Sequence, residues 1–142
     1  MRNKLILSIF LFFGFAAQLS AESQTEIIFL SGTDSDHPEK WDFMVTGGRN
    51  SGDWSSIPVP SCWELQGFGS FNYGHDEDKS TEQGKYRHTF TIPESWQGRK
   101  IELVFEGVMT DTAATINGQS AGPVHQGGFY RFEYDITDLI RI

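Results

Sequence analysis

Four separate stretches of this chain read with a period of two. Trp41, Phe43 and Val45 alternate with Asp42, Met44 and Thr46. Tyr86, His88, Phe90 and Ile92 alternate with Arg87, Thr89 and Thr91. Ile101, Leu103 and Phe105 alternate with Glu102, Val104 and Glu106, and Tyr130, Phe132, Tyr134 and Ile136 with Arg131, Glu133 and Asp135. Successive strand side chains point to opposite faces, so this period turns one set toward a core and the other toward solvent. Turn signals separate the stretches. Gly47-Gly48 ends the first, and Pro93 to Gly98 forms a turn around Trp96. Asn117-Gly118, after the short run Ala113 to Ile116, predicts a two-residue hairpin, because a type I′ turn needs positive φ at both central positions. Beyond residue 21 no window sustains a helical period. The 15 Gly and 5 Pro fit many turns, and 12 Phe with 4 Trp supply bulk for a core. Short alternating strands divided by turns predict an all-β fold of the sandwich type.

Between the stretches lie segments of other kinds. Ile57-Pro58-Val59-Pro60 holds two prolines, each without a ladder donor, which predicts an extended edge segment leading to Trp63 as a plug for the core. Residues 68–84 read as a long polar loop containing Asp76-Glu77-Asp78-Lys79. In residues 22–40, Ile27 to Leu30 is a short strand or a linker, and the stretch from Gly32 to Pro38 is a loop.

The amino terminus is of another character. Arg2 and Lys4 precede an apolar run from Leu5 to Ala17, followed by Gln18-Leu19-Ser20-Ala21. The run is shorter than the roughly 20 residues of a spanning helix. Residues 1–21 are therefore expected to be a signal peptide, and the protein to be secreted or periplasmic. Loss of that segment leaves 9 basic against 19 acidic residues, a net charge of −10. So acidic a chain repels phosphate, which argues against nucleic acid and, after signal cleavage, against an anionic membrane as partners.

Chemistry-bearing residues are few. Cys62 is the single cysteine, so no internal disulfide can form; flanked by Pro60, Ser61 and Trp63, it is expected to be a buried small residue rather than a nucleophile. His37, His75, His88 and His125 share no zinc-like spacing, His88 reads as a packed strand residue and His125 as a loop-holding one. Asp76, Glu77 and Asp78 lack the spacing of a calcium loop and fit a solvated turn. No catalytic residue, metal or cofactor is expected. Trp41, Trp54, Trp63 and Trp96 raise a sugar-stacking platform as a possibility, with Trp63 and Trp96 better suited to plugging the core and Trp54 placed in a loop.

A succession of motifs adds to this reading. Val59-Pro60-Ser61-Cys62-Trp63-Glu64, Gly84-Lys85-Tyr86-Arg87-His88-Thr89-Phe90, Leu103-Val104-Phe105-Glu106-Gly107-Val108, Ile116-Asn117-Gly118 with Gly122 and His125-Gln126-Gly127-Gly128-Phe129, and Phe132-Glu133-Tyr134-Asp135-Ile136-Thr137 occur in that order. The succession resembles the N-terminal jelly-roll, sugar-binding domain of glycoside hydrolase family 2, which includes β-galactosidases, β-glucuronidases and β-mannosidases. Arg131 departs from it, standing where many members have Pro. The resemblance implies a jelly-roll or galactose-binding-like β-sandwich over residues 41–142, incomplete at its C-terminus. It also implies a non-catalytic domain of a β-galactosidase-type enzyme that hydrolyses O-glycosyl bonds. Its partners would be a terminal β-linked sugar of a glycan and downstream immunoglobulin-like and barrel domains of the same enzyme, the barrel carrying the catalytic carboxylates. The rival is a free-standing carbohydrate-binding module. From the family, Asn117 would be substrate-binding, its amide offering donors and an acceptor to sugar hydroxyls; the turn alone also accounts for Asn-Gly at this place.

The expected cut after Ala21 is open to direct measurement. Mass spectrometry of protein exported by a native-like host should show Glu22 as the first residue, and a retained Met1 in the exported fraction would refute it.

Overall fold

The computed structural model describes residues 24–70 and 81–141. The expected signal peptide at 1–21, His75 and the Asp76 to Lys79 run lie outside the described residues. Among the described residues seven short strands carry the fold: β1 (Glu39–Val45), β2 (Ser55–Val59), β3 (Gly84–Arg87), β4 (Glu102–Phe105), β5 (Thr115–Ile116), β6 (Gln119–Ser120) and β7 (Phe132–Asp135). Single 3-10 turns at Glu94–Trp96 and Thr137–Leu139 are the only helical elements among the described residues. The architecture is all-β, of the sandwich class that the alternation predicts.

β1 is the centre of an antiparallel sheet ordered β2-β1-β3. Its period-two pattern turns Phe43 and Val45 inward, where they meet Ile57 of β2; all three are fully buried. Val59, Trp63 and Phe68 close this cluster, with Phe68 edge-on to Phe43 at 4.9 Å. Burying each such side chain stabilises by about 1.5–3 kcal/mol. β2 lies at an edge, as its proline requires, with Pro58 opposite Lys40. On the other edge, Lys85 and Arg87 of β3 place charge where a foreign strand would otherwise add.

A second cluster forms around Ile101, Ile116, Tyr134 and Ile136. β4 pairs with β7 so that Leu103 faces Tyr134 and Phe105 faces Phe132, and the last two rings stack at 4.7 Å. β5 and β6 form the hairpin expected from Asn117-Gly118, with φ of 51° and 81° at the two turn residues. The alternation overshoots at one end. Tyr130 belongs to the apolar set by spacing yet is 67% exposed, because β7 begins only at Phe132. Arg131, the departure from the family pattern, is exposed outside the strand, 3.9 Å from Glu106 and 3.7 Å from Glu133.

Two stretches join the clusters. The strand expected to run on to Ile92 stops at Arg87, where its pairing with Asp42 of β1 ends. The chain then leaves the sheet and delivers Phe90 and Ile92 to the second cluster. His88, midway, stacks on Trp41 at 4.7 Å and is the packed residue expected of it. The other join is residues 24–30, which form no strand. At one end the Trp41 indole donates to the Leu30 carbonyl at 2.9 Å. At the other, Trp96 donates to Glu26 at 2.7 Å, while Arg99 binds both Glu26 and the Gln24 carbonyl. The Trp96 bond, and then Arg99, hold the Glu26 carboxyl below its usual range. This clamp is therefore complete above the ordinary carboxylate pKa and weakens as pH falls through the lowered value.

The glycine of the 84–90 motif has a steric cause. A Cβ on Gly84 would lie 1.7 Å from Cζ3 of Trp63, so the indole occupies the space of a side chain. Gly122 stands likewise against the Tyr134 ring, at 2.5 Å. Gly84→Ala should cost about 1–3 kcal/mol, by forcing the ring or the strand aside. Gly107→Ala, whose nearest neighbour would be 3.6 Å away, should stay within about 0.5 kcal/mol. Urea denaturation of the two variants checks this; equal midpoints would refute the packing.

Candidate functional site

Asn117 occupies the tip of the β5–β6 hairpin, exposed to solvent. Its left-handed φ is one that Asn tolerates better than most residues. The amide Nδ2 donates to the Leu139 carbonyl at 2.7 Å, tying the hairpin to the 3-10 turn Thr137–Leu139. The Oδ1 oxygen takes part in no hydrogen bond among the described residues. Beside this tie lies an open groove of about 640 Å³, whose lining includes Arg99, Lys100, Ser120, Asp135, Thr137 and Asp138. Leu139 lines it too, so the groove and Asn117 share a wall.

The groove wall is set by the Asp135-Ile136-Thr137 step. The Thr137 hydroxyl donates to Asp135 Oδ1 at 2.6 Å and accepts from the Ile101 N–H at 2.9 Å. The Thr137 N–H also donates to Asp135, at 3.1 Å. These bonds keep the Asp135 carboxyl below its usual pKa range. Between the two polar residues, Ile136 is 2% exposed in the second cluster. Core and groove thus depend on the same three residues. The motif was visible in the sequence, but its place beside Asn117 was not; the Asp-x-Thr spacing, which suits a side-chain turn, was the available signal. The lining offers hydroxyl, carboxylate and cationic groups, a set suited to a hydroxyl-rich ligand.

The other singled-out residues are dispersed. His125 exchanges both backbone hydrogen bonds with Thr112, at 2.8 and 2.9 Å, and stacks on Phe132 at 3.8 Å, so it does hold its loop. His37 is exposed and bonded to Asp34 at 2.9 Å. The tryptophans form no common platform: Trp41 stacks on His88, Trp63 packs against Phe43 and Gly84, and Trp96 is tied to Glu26. Trp54 is 44% exposed, with the Arg87 guanidinium 4.0 Å above its ring. Among the described residues no three His, Cys, Asp or Glu side chains gather as a metal site.

Cys62 corrects an expectation, being exposed rather than buried. It precedes the turn at residues 63–67, where Trp63 takes the inward position and leaves its neighbour outside. The thiol donates to Glu64 at 2.9 Å. That bond, then desolvation, pushes the thiol pKa up, opposite to what a nucleophile needs. Tyr86 nearby is pushed up to about 12, by burial first and by the charge of Glu64 second. Glu64→Gln removes the carboxylate that disfavours the thiolate. Alkylation of Cys62 by iodoacetamide at pH 8 should be faster in this variant, and an unchanged or slower rate would refute the assignment.

Comparison with known proteins gives this geometry a family. The model for "Glycosyl hydrolases family 2, sugar binding domain" matches residues 30–142. A beta-galactosidase of Thermoanaerobacter pseudethanolicus is 41% identical over 56 residues, covering 39% of this chain and 7% of that protein. A putative beta-glucuronidase of Formosa agariphila is 32% identical over 92 residues, covering 65% and 11%. A beta-galactosidase of Bacteroides ovatus is 26% identical over 121 residues, covering 75% and 14%. The matched stretch is thus about a tenth of the length of these relatives. With its model matched over most of the chain and its motifs packed against one another in space, this protein belongs to glycosyl hydrolase family 2, through the family's sugar-binding domain.

Proposed function

We propose that the chain is the non-catalytic N-terminal domain of a secreted β-galactosidase-type enzyme that hydrolyses the O-glycosyl bond of a terminal β-linked sugar. The observation that carries the reading is the family match over residues 30–142, to a stretch that is only 7–15% of relatives named as beta-galactosidases and beta-glucuronidases. In such an enzyme the bond is broken by groups outside this stretch, carboxylates of the barrel that lies downstream with an immunoglobulin-like domain. The basic and apolar leader at residues 1–21 supports export.

Within the domain, Asn117 is the sugar contact. Its Nδ2 is committed to Leu139, which leaves Oδ1 to accept from a sugar hydroxyl. The tie fixes the side chain before a ligand arrives, and a group held in advance loses little freedom on binding.

The full-length polypeptide and the 142-residue chain should be assayed on a chromogenic β-galactoside. Turnover is expected from the first alone, and turnover by the pure short chain would overturn the non-catalytic assignment. Asn117→Gly in the full-length enzyme separates the two roles of this residue, because glycine keeps the turn. Loss of a sugar hydrogen bond of about 0.5–1.5 kcal/mol raises KM by roughly 2- to 12-fold. A lower melting temperature with unchanged kinetics would mean that Asn117 serves the turn alone.

A further inference from the structure

Cationic side chains are not spread evenly over this acidic chain, which carries a net charge of −8. Among the described residues, Arg99, Lys100 and Arg131 sit in ion pairs, and Arg49 donates to the carbonyls of Glu64, Phe68 and Gly69. Lys40, Lys85, Arg87 and Arg141 remain, their side chains in no ion pair or hydrogen bond with another described residue. The first three belong to one sheet face. In β1, Phe43 and Val45 point into the first cluster, so Lys40, Asp42 and Met44 point outward. Pairing extends that face across the neighbouring strands: Pro58 lies opposite Lys40, Ser56 and Arg87 opposite Asp42, and Lys85 opposite Met44. Lys40, Asp42, Ser56, Lys85 and Arg87 are all exposed.

A contact across the sheet shows that these side chains share one surface. The Arg87 guanidinium of β3 lies 4.0 Å above the ring of Trp54, which precedes β2 on the other side of β1. Asp42 stands directly opposite Arg87 in register, yet no ion pair joins them, and its carboxylate is open to a ligand. A guanidinium stacked on an indole keeps its N–H edge outward and is held in place before a ligand arrives. Lys40 and Met44, the partner of Lys85, are four positions apart in β1, which spreads the cations over about 14 Å along the strand. The face therefore matches an extended chain better than a single ring.

We propose that the outward face of β2, β1 and β3 binds an acidic polysaccharide, whose carboxylate or sulfate groups meet Lys40, Lys85 and Arg87 while a sugar ring packs on Trp54. The proposal rests on the reading of this domain as one that handles glycans, and it uses other strands than the hairpin that carries Asn117. Asp42 separates this ligand from nucleic acid. A duplex presents one charge per ~1.7 Å of its axis, which a carboxylate in the middle of the face opposes. A polysaccharide offers hydroxyls between its charges, and these donate to Asp42. The acidity of the rest of the chain does not prevent binding, because at physiological ionic strength charges beyond about 8 Å are largely screened.

The test runs the full-length polypeptide in native gels containing polygalacturonate, dextran sulfate, uncharged dextran or duplex DNA. Retardation by polygalacturonate, by dextran sulfate or by both is expected, which identifies carboxylate or sulfate as the group recognised, and it should weaken as salt is raised. Lys85→Glu combined with Arg87→Glu should weaken binding roughly tenfold, and Trp54→Ala roughly threefold. Arg131→Glu combined with Arg141→Glu, an equal change of net charge away from this face, should leave binding unaltered. No retardation by either acidic polymer, equal retardation by dextran or DNA, or equal loss from the two double variants overturns the proposal. The melting temperature of each variant checks that its fold is intact. Turnover of a chromogenic β-galactoside by the same preparations separates the two readings. Turnover without retardation removes this surface alone, and retardation without turnover removes the enzyme reading while the surface stands.

Discussion

Each of the two apolar clusters is closed by an aromatic ring resting on a bare α-carbon: Trp63 on Gly84 and Tyr134 on Gly122. Much else follows from these contacts. Trp63 over Gly84 brings the turn after Cys62 against β3, which fixes the far edge of the first sheet. Tyr134 over Gly122 lets the phenol reach the Pro123 carbonyl at 2.6 Å, satisfying its hydroxyl while the ring stays buried. With no disulfide available, packing and hydrogen bonding are the means of holding the clusters together. A domain so held has a net stability of only about 5–15 kcal/mol. Shape at a few positions therefore matters more than general hydrophobicity.

The motifs are a map of these contacts. The Trp63 step and the Gly84 step are 21 residues apart in sequence, and they are two halves of one contact. Gly122 and the Tyr134 step form a second such pair, and Asp135 with Thr137 pins Ile136 between them. A residue pattern that reads as several weak signals along the chain is, in space, a small number of mutually dependent fits. Asn117 joins this set from outside the core, since its amide holds the turn into which the last motif leads.

How far the sequence could be read depended on which physical rule was at work. Alternation correctly turned Phe43, Val45, Leu103 and Tyr134 inward, because a period of two acts through the backbone alone. The Asn117-Gly118 hairpin was equally legible, since the turn geometry is local. Alternation does not say where a strand begins, and this is why Tyr130, which precedes the strand to which its spacing assigns it, is 67% exposed. Tyr86, on an edge strand, keeps the inward face, its ring 4.8 Å from that of Phe43. Cys62 was misjudged for a related reason: residue type favours burial, but the turn had one inward place and Trp63 took it. The groove beside Asn117 combines residues from three separate stretches, so no local signal could show it.

Residues 24–30 carry a consequence for the order in which the molecule is made. Their anchors, Trp96 and Arg99, lie 70 to 75 positions further along the chain. A ribosome emits the amino end first, so these contacts have no partner until some hundred residues have been synthesised. Throughout that interval the Gln24–Glu26 end of the segment lacks its later partners, while Leu30 has Trp41 only 11 positions further on. The Gln24–Glu26 end is thus among the earliest described residues to emerge and waits for Trp96 and Arg99 before it is held.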